Sequence, residues 1–253
     1  MKWFLAFAVP AALAFAGIGA ACADEFTPAQ KDEIGAVMKD YLVAHPEVLR
    51  EAMEALDKKE KQAEAEARQK VVADQAGALF SSPYQATVGN AMGGATLVEF
   101  FDYNCHYCKG ALPDIARLMQ EDPNLKVVLK DFPVLGPGSI EAARVASAVR
   151  NQLSGDKFWQ FHQKLLSTHG PVGKAEALAV ARDLGVDMDQ LNKDMASPDV
   201  RTGIEEVMHM ADSLQINGTP SFVIGQDVVV GAVGYDQLKD KIDSVHKCGR
   251  AVC

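Results

Sequence analysis

Between Thr96 and Met119 the hydrophobic pattern changes period. Thr96-Leu97-Val98-Glu99-Phe100-Phe101 is a nearly continuous apolar, β-branched and aromatic run, the pattern of a central strand buried on both faces. Leu112, Ile115, Ala116, Leu118 and Met119 then recur at helical spacing. A strand feeding directly into a helix is expected, with the junction near residue 105. Lys126–Pro133 reads as the next strand, completing a right-handed parallel strand–helix–strand unit, and the Gly-rich junction before it leaves room for a short edge strand around Gln85–Val88. Helical periodicity follows over Ile140–Val149, Lys157–Leu166, Lys174–Leu184, Met188–Ala196 and Asp199–Leu214, with no strand among them. Ser221–Ile224 and Val228–Val230 flank the hairpin signal Gly225-Gln226-Asp227, and Tyr235–Val245 closes the chain as an amphipathic helix. The expectation is an α/β chain with the thioredoxin fold over residues 81–253, carrying a helical insertion at about 137–214.

The N-terminal third has a different pattern. Thr27-Pro28-Ala29-Gln30 combines an N-cap, a proline at the first helical position and a capping-box glutamine. Ile34, Val37, Met38, Tyr41 and Leu42 form one apolar stripe, which His45-Pro46 interrupts because a residue before proline is pushed out of helical geometry. A second helix starting at Pro46 carries Val48, Leu49, Met53 and Leu56, and the charged stretch Asp57–Ala78 continues from it. Short helices are marginal without packing, so the stripe requires a partner. Residues 24–80 are expected to form a helical oligomerisation segment and stalk, making the protein a homo-oligomer. A helical arm folded back on its own domain is the alternative.

Met1–Ala23 has the form of an export signal: Lys2, an apolar core from Trp3 to Ile18, and Ala21-Cys22-Ala23 as a small-x-small cleavage site. A lipoprotein cut before Cys22 is the other reading. Cleavage after Ala23 leaves four cysteines, an even number that suits an oxidising compartment. The net charge of −9 gives no basic footprint for nucleic acid.

The chemistry concentrates in Cys105-His106-Tyr107-Cys108. At a helix start, the dipole and unpaired N–H groups favour a thiolate, and two cysteines at this spacing can close on each other. A dithiol redox centre follows; a purely structural disulfide and a zinc half-site are the competing readings. Cys248 and Cys253 lie five apart, and Gly249 permits the turn that would let them bridge. Met208-His209-Met210 is tempting for copper, but neighbours on a helix fan out around its axis, so they read as packing. His162 and His169 show no metal spacing. Neither a metal nor a cofactor is expected.

Phe100 to Cys108, Phe132-Pro133 with Gly136-Pro137-Gly138-Ser139, and Gly218-Thr219-Pro220 resemble the DsbA-like periplasmic thiol–disulfide oxidoreductases. Thr27–Leu56, above all Tyr41-Leu42 with His45-Pro46-Glu47-Val48, resembles the N-terminal domain of the ScsC (suppressor of copper sensitivity) subfamily. The resemblance implies Cys105 as nucleophile, Cys108 as resolving thiol, and His106 as a further stabiliser of the thiolate. It implies Glu99 as a buried acid relaying a proton to or from Cys108, and Thr219-Pro220 as a cis-proline loop that binds substrate, with Tyr107 beside it. It implies a periplasmic location, misfolded or oxidised exported proteins as substrates, an inner-membrane thiol reductant as electron donor, and a trimer. Disulfide isomerase or reductase is the activity expected; a monomeric oxidase, or a copper-handling protein using the dithiol as ligands, are the alternatives.

Overall fold

The computed structural model describes residues 26–253, and the export segment expected over Met1–Ala23, with the alternative cut before Cys22, lies outside the described residues. Two compact units meet between Lys58 and Lys59. The first contains α1 (Pro28–Ala44) and the start of α2 (Pro46–Asp74). Thr27 and Gln30 close the expected capping box: the Gln30 amide donates to Thr27 Oγ1 at 3.3 Å, and the Thr27 amide donates to Gln30 Oε1 at 2.9 Å. His45 is the single residue between the helices, as Pro46 requires. No residue of α1 is buried, and Val37, Met38 and Tyr41 are more than half exposed, as is Met53 on α2.

The second unit holds the end of α2, then α3 (Ala76–Ser81), β1 (Ala86–Gly89), β2 (Ala95–Phe101), α4 (His106–Glu121) and β3 (Leu125–Asp131). Five helices follow: α5 (Pro137–Val149), α6 (Gly155–Leu166), α7 (Lys174–Asp183), α8 (Met188–Met195) and α9 (Pro198–Ser213). β4 (Ser221–Ile224), β5 (Asp227–Val230) and α10 (Tyr235–Cys248) complete it. The sheet order is β1-β3-β2-β4-β5. β2 runs parallel to β3, with Phe101 opposite Asp131, and antiparallel to β4. This is the thioredoxin fold, with α5–α9 inserted between β3 and β4.

The unit boundary falls earlier than the residue-80 limit expected from the charged run, because Val72 and Leu79 are buried against the sheet. The strand expected to reach Pro133 ends at Asp131. Pro133 has no N–H to continue the ladder, although Phe132 still donates its own to the Phe101 carbonyl at 2.8 Å.

The near-continuous apolar run of β2 is explained by its two covered faces. Leu97 and Phe101 join Ile115 of α4, Phe161 of α6 and Leu238 of α10 in one core. Val98 and Phe100 join Val72, Leu79, and Val207 and Met210 of α9 in the other. On that second face, Lys126 and Lys130 of β3 reach the final carbonyls of α3: Lys126 Nζ donates to Phe80 O and Lys130 Nζ to Ala78 O, each at 2.7 Å. Carbonyls at a helix C-terminus lack intrahelical partners and carry partial negative charge, so ammonium groups suit them. Lys130 is 1% exposed, and burial draws its ammonium down to about 8 despite Glu206 at 3.8 Å. Among the described residues no helix is long and apolar enough to cross a membrane.

The two lysines differ in burial, so their truncation should differ in cost. Lys130→Ala opens a cavity and strands a carbonyl, which should remove on the order of 3 kcal/mol in urea unfolding. Lys126→Ala, only half-buried, should remove about 1 kcal/mol. Equal losses would contradict this account of the α3 anchor.

Candidate active site

Cys105 is the N-cap of α4, in extended conformation, and its Sγ accepts the Cys108 backbone N–H at 3.3 Å. β2 delivers it there: the strand ends at Phe101, and a turn closed by the Cys105 amide on the Asp102 carbonyl at 3.0 Å redirects the chain into the helix. Facing it, the Thr219–Pro220 peptide bond is cis, and in its thiol form Cys105 donates to the Thr219 carbonyl at 3.1 Å. Cys105 and Cys108 are both unbridged and buried.

The two sulfurs are electrostatically unlike. A hydrogen bond from the Cys108 thiol, then one from the Thr219 side chain and the Cys108 and Tyr107 amides, outweigh burial and draw Cys105 down to about 5. The same bond, with burial and the Glu99 charge, pushes Cys108 far above the ordinary thiol range. One sulfur is therefore an anion at neutral pH and the other keeps its proton. His106 and Tyr107 occupy the first turn of α4 and are exposed, so the groups holding the Cys105 anion are Cys108, Thr219 and two amides.

Alternation along β2 left the direction of Glu99 open; the structure buries it completely, on the dithiol face of the sheet. Neither of its carboxyl oxygens has a hydrogen-bond partner among the described residues. Burial first, and the Cys105 charge second, push it up to about 8. A carboxyl with that value beside a thiol can take or return a proton near neutral pH.

Sequence reasoning assigned no role to Asp102 and Asn104, yet these two join the dithiol loop to the insertion. The buried Asp102 carboxylate accepts from the Asn104 amide at 2.8 Å, from Ser139 Oγ at 2.7 Å and from the Leu135 amide at 3.0 Å. Asn104 Nδ2 donates to Ser139 Oγ at 3.0 Å and to the Val172 carbonyl at 2.8 Å, while its Oδ1 accepts the Val172 amide at 2.7 Å. Short amide and carboxylate side chains in a strand-to-helix turn were the available signal. Beside this network a groove is lined by Asn104, Leu135, Pro137, Gly138, Pro171 and Val172. Leu135, Ile140 and Tyr107 add exposed apolar surface.

The remaining sequence candidates lie apart from the dithiol. Cys248, the last residue of α10, is bridged to Cys253 across a left-handed Gly249, with their Cα atoms 6.2 Å apart. Met210 is buried on α9 whereas Met208 and His209 are exposed, so the three fan out. His169 lies in the loop between α6 and α7, and His162 of α6 is wholly buried, where loss of solvation draws it down to about 3. Among the described residues no group of three or more His, Cys, Asp or Glu is placed to hold a metal.

Residues 96–243 match the DSBA-like thioredoxin domain, and residues 30–63 match the copper resistance protein ScsC N-terminal domain. Among solved structures, a thioredoxin-like oxidoreductase from Silicibacter pomeroyi DSS-3 is 41% identical, with a TM-score of 0.64, covering 68% of this chain and 98% of that one. Proteus mirabilis ScsC in a transitional conformation is 29% identical, with a TM-score of 0.64, over 87% of this chain and 98% of that one. BcfH of Salmonella enterica Typhimurium is 26% identical, with a TM-score of 0.74, over 85% and 95%. The curated Na(+)/H(+) antiporter NhaA 1 of Salinispora arenicola is 30% identical over 151 residues, 59% of this chain; the chain spans only 23% of that protein.

Two titrations test the site. Alkylation of the reduced protein with iodoacetamide should rise with a midpoint near pH 5; a midpoint near the ordinary thiol value of 9.0 contradicts the site as described. Glu99 is an acid whose folded value lies above its unfolded 4.5, so it does not disfavour folding below pH 4.5. Its cost then grows with pH and levels off above about 8. In the oxidised protein, Glu99→Gln should therefore match the parent at pH 4 and be the more stable above pH 8, read by denaturant midpoints.

Proposed function

The chain belongs to the DsbA-like thioredoxin family, a family of thiol–disulfide oxidoreductases, and on that premise we propose that it is a periplasmic disulfide isomerase or reductase, assembled through its N-terminal helices. The observation that carries the exchange chemistry is the asymmetric dithiol. The Cys105 thiolate attacks a disulfide of an exported protein, the S–S bond breaks, and one substrate sulfur leaves as thiolate. Cys105 is then bonded to the other substrate sulfur. Extended substrate pairs with backbone beside Thr219-Pro220, and the groove with Leu135 and Tyr107 receives its apolar side chains.

Resolution needs a base. Once Cys105 is in a mixed disulfide its negative charge is gone, and with it one of the two causes holding Glu99 up. Glu99 then ionises more readily, takes the Cys108 proton, and the Cys108 thiolate attacks the Cys105 sulfur. The substrate leaves as thiolate and the Cys105–Cys108 disulfide remains. An isomerase is kept reduced by a thiol donor, for which an inner-membrane reductant is the proposed source.

Self-association is supported by the exposed apolar stripe of α1 and early α2 and by the match of residues 30–63 to the ScsC N-terminal domain. Three copies would present several dithiols to one misfolded substrate and hinder access by an oxidase that acts on monomers. Residues 24–58 serve as the assembly segment, and Met1–Ala23 as the export signal. A second reading, a monomeric oxidase, is favoured by the depressed Cys105 thiol, since a comfortable thiolate stabilises the reduced state and makes the disulfide more oxidising.

Scrambled ribonuclease separates the two. The reduced full-length protein should restore its activity, and light scattering should give a multiple of the chain mass that falls to one chain when residues 24–56 are deleted. No reactivation, with rapid oxidation of reduced ribonuclease instead, decides for the oxidase. An unchanged mass after deletion removes the assembly role.

A further inference from the structure

The dithiol is bracketed in sequence by two residues that reach to one segment of the insertion. Asn104, just before Cys105, holds both the amide and the carbonyl of Val172, at 2.7 and 2.8 Å. Lys109, just after Cys108, donates from Nζ to the Thr168 carbonyl at 2.7 Å. Residues 168–172, between α6 and α7, are therefore a strap fastened at both ends to the turn and helix that carry the two sulfurs. Val172 is 1% exposed and roots the strap in the core, whereas His169, Gly170 and Pro171 at its crest are exposed. Gly138 sets how close the start of α5 can come. A Cβ at that position would stand 3.0 Å from the Val172 carbonyl oxygen and press the strap outward.

The groove lined by Asn104 runs between this strap and the segment that leads into α5. Gly170, Pro171 and Val172 contribute one side, and Leu135, Pro137 and Gly138 the other. Both sides are held from the turn that aims Cys105: Asp102 accepts the Leu135 amide at 3.0 Å, and Asn104 holds Val172. The peptide groups that fasten the strap are used up in doing so, and Pro171 has no N–H to offer. What remains for a visitor is carbon, from the Pro171 ring on one side and from the half-exposed Leu135 on the other. A groove of that chemistry, fixed from the residue next to the reactive sulfur, fits an apolar side chain adjacent to the cysteine under attack.

We propose that this groove selects substrates with an apolar residue beside the attacked cysteine, with Pro171 and Leu135 as its specificity-determining residues. Asn104 and Lys109 are positioning residues that act through the strap. The proposal rests on the exchange reading above and narrows its substrate class. Cysteine and the large aliphatic residues are among those most often buried in folded proteins, so an accessible cysteine with such neighbours marks a chain that has not reached its fold. The part played by Lys109 is mechanical, since its ammonium is not among the groups that shift either sulfur.

The test uses the reduced full-length chain and two short peptides, each carrying one cysteine as a mixed disulfide with thionitrobenzoate. One peptide has leucine on both sides of the cysteine, the other serine. The Cys105 thiolate attacks the peptide sulfur, the S–S bond breaks, and the coloured thionitrobenzoate leaves as thiolate. The readout is the ratio of the two second-order rate constants, divided by the same ratio measured with glutathione. Intrinsic reactivity and the amount of active protein then cancel. The parent should favour the leucine peptide about 10-fold, the effect of partly burying one such side chain. The preference should fall to about 2-fold in Pro171→Ser, which alters an exposed side chain, and in Lys109→Met, which keeps the stem and releases the strap. A parental ratio near one, or a parental ratio retained in either folded variant, overturns the proposal. Should Lys109→Met fail to fold by circular dichroism, Pro171→Ser decides alone. If the parent releases no thionitrobenzoate from either peptide while glutathione does, the exchange reading itself has failed, a result distinct from lost preference.

Discussion

The structure depends on one hydrogen bond that is shared unequally. Cys105 and Cys108 compete for a single proton at the start of α4, and the environment decides the contest. Cys105, at the N-cap, has amides and Thr219 at hand; Cys108, one turn further in, has burial and the Glu99 carboxyl. The bond that lowers the first sulfur raises the second, so neither can be understood alone. Attack by the outer sulfur is therefore ready at neutral pH, and attack by the inner one waits for a proton to be removed.

The sheet separates two tasks that would interfere if they shared a face. Glu99 points to the dithiol side, with Leu97 and Phe101, and Lys126 and Lys130 point to the other, where they hold the end of α3. Strand alternation keeps the ammonium groups off the acid's face. A lysine opposite Glu99 would pair with it and hold it ionised, and Leu129 occupies that register position instead. Glu99 is left without a cationic partner in its ladder, which is why burial dominates its behaviour.

Much of this was legible in the chain because it was written in local patterns. The change of hydrophobic period at residue 105 located the dithiol at a helix start, the helical run after Gly136 announced the insertion, and Thr27 with Gln30 marked the start of α1. What stayed hidden depends on pairing between distant segments. Nothing in the order of residues says that Asn104 meets Val172, or that Phe101 lies opposite Asp131 and so brings a second acid onto the face of Glu99. The end of the stalk was misjudged for a related reason: a charged stretch reads as solvated, and only the fold shows that Val72 and Leu79 within it are covered. His106 drew attention by lying between the cysteines in sequence, but the helix turns its side chain to solvent, and the Cys108 thiol, then Thr219 and two backbone amides, hold the Cys105 anion.

The ties from Asp102 and Asn104 to Ser139 and Val172 have a consequence for how such chains can be recombined. They connect the turn that aims Cys105 to two points of the insertion, so the inserted helices are part of the mounting of the nucleophile as well as a wall of its groove. A graft of foreign helices between β3 and β4 would have to reproduce a hydroxyl and a peptide group at those two points. Otherwise it would leave the Asp102 carboxylate short of one donor and the Asn104 carboxamide unanswered beside the reactive sulfur, and the transplanted specificity would arrive with a loosened nucleophile.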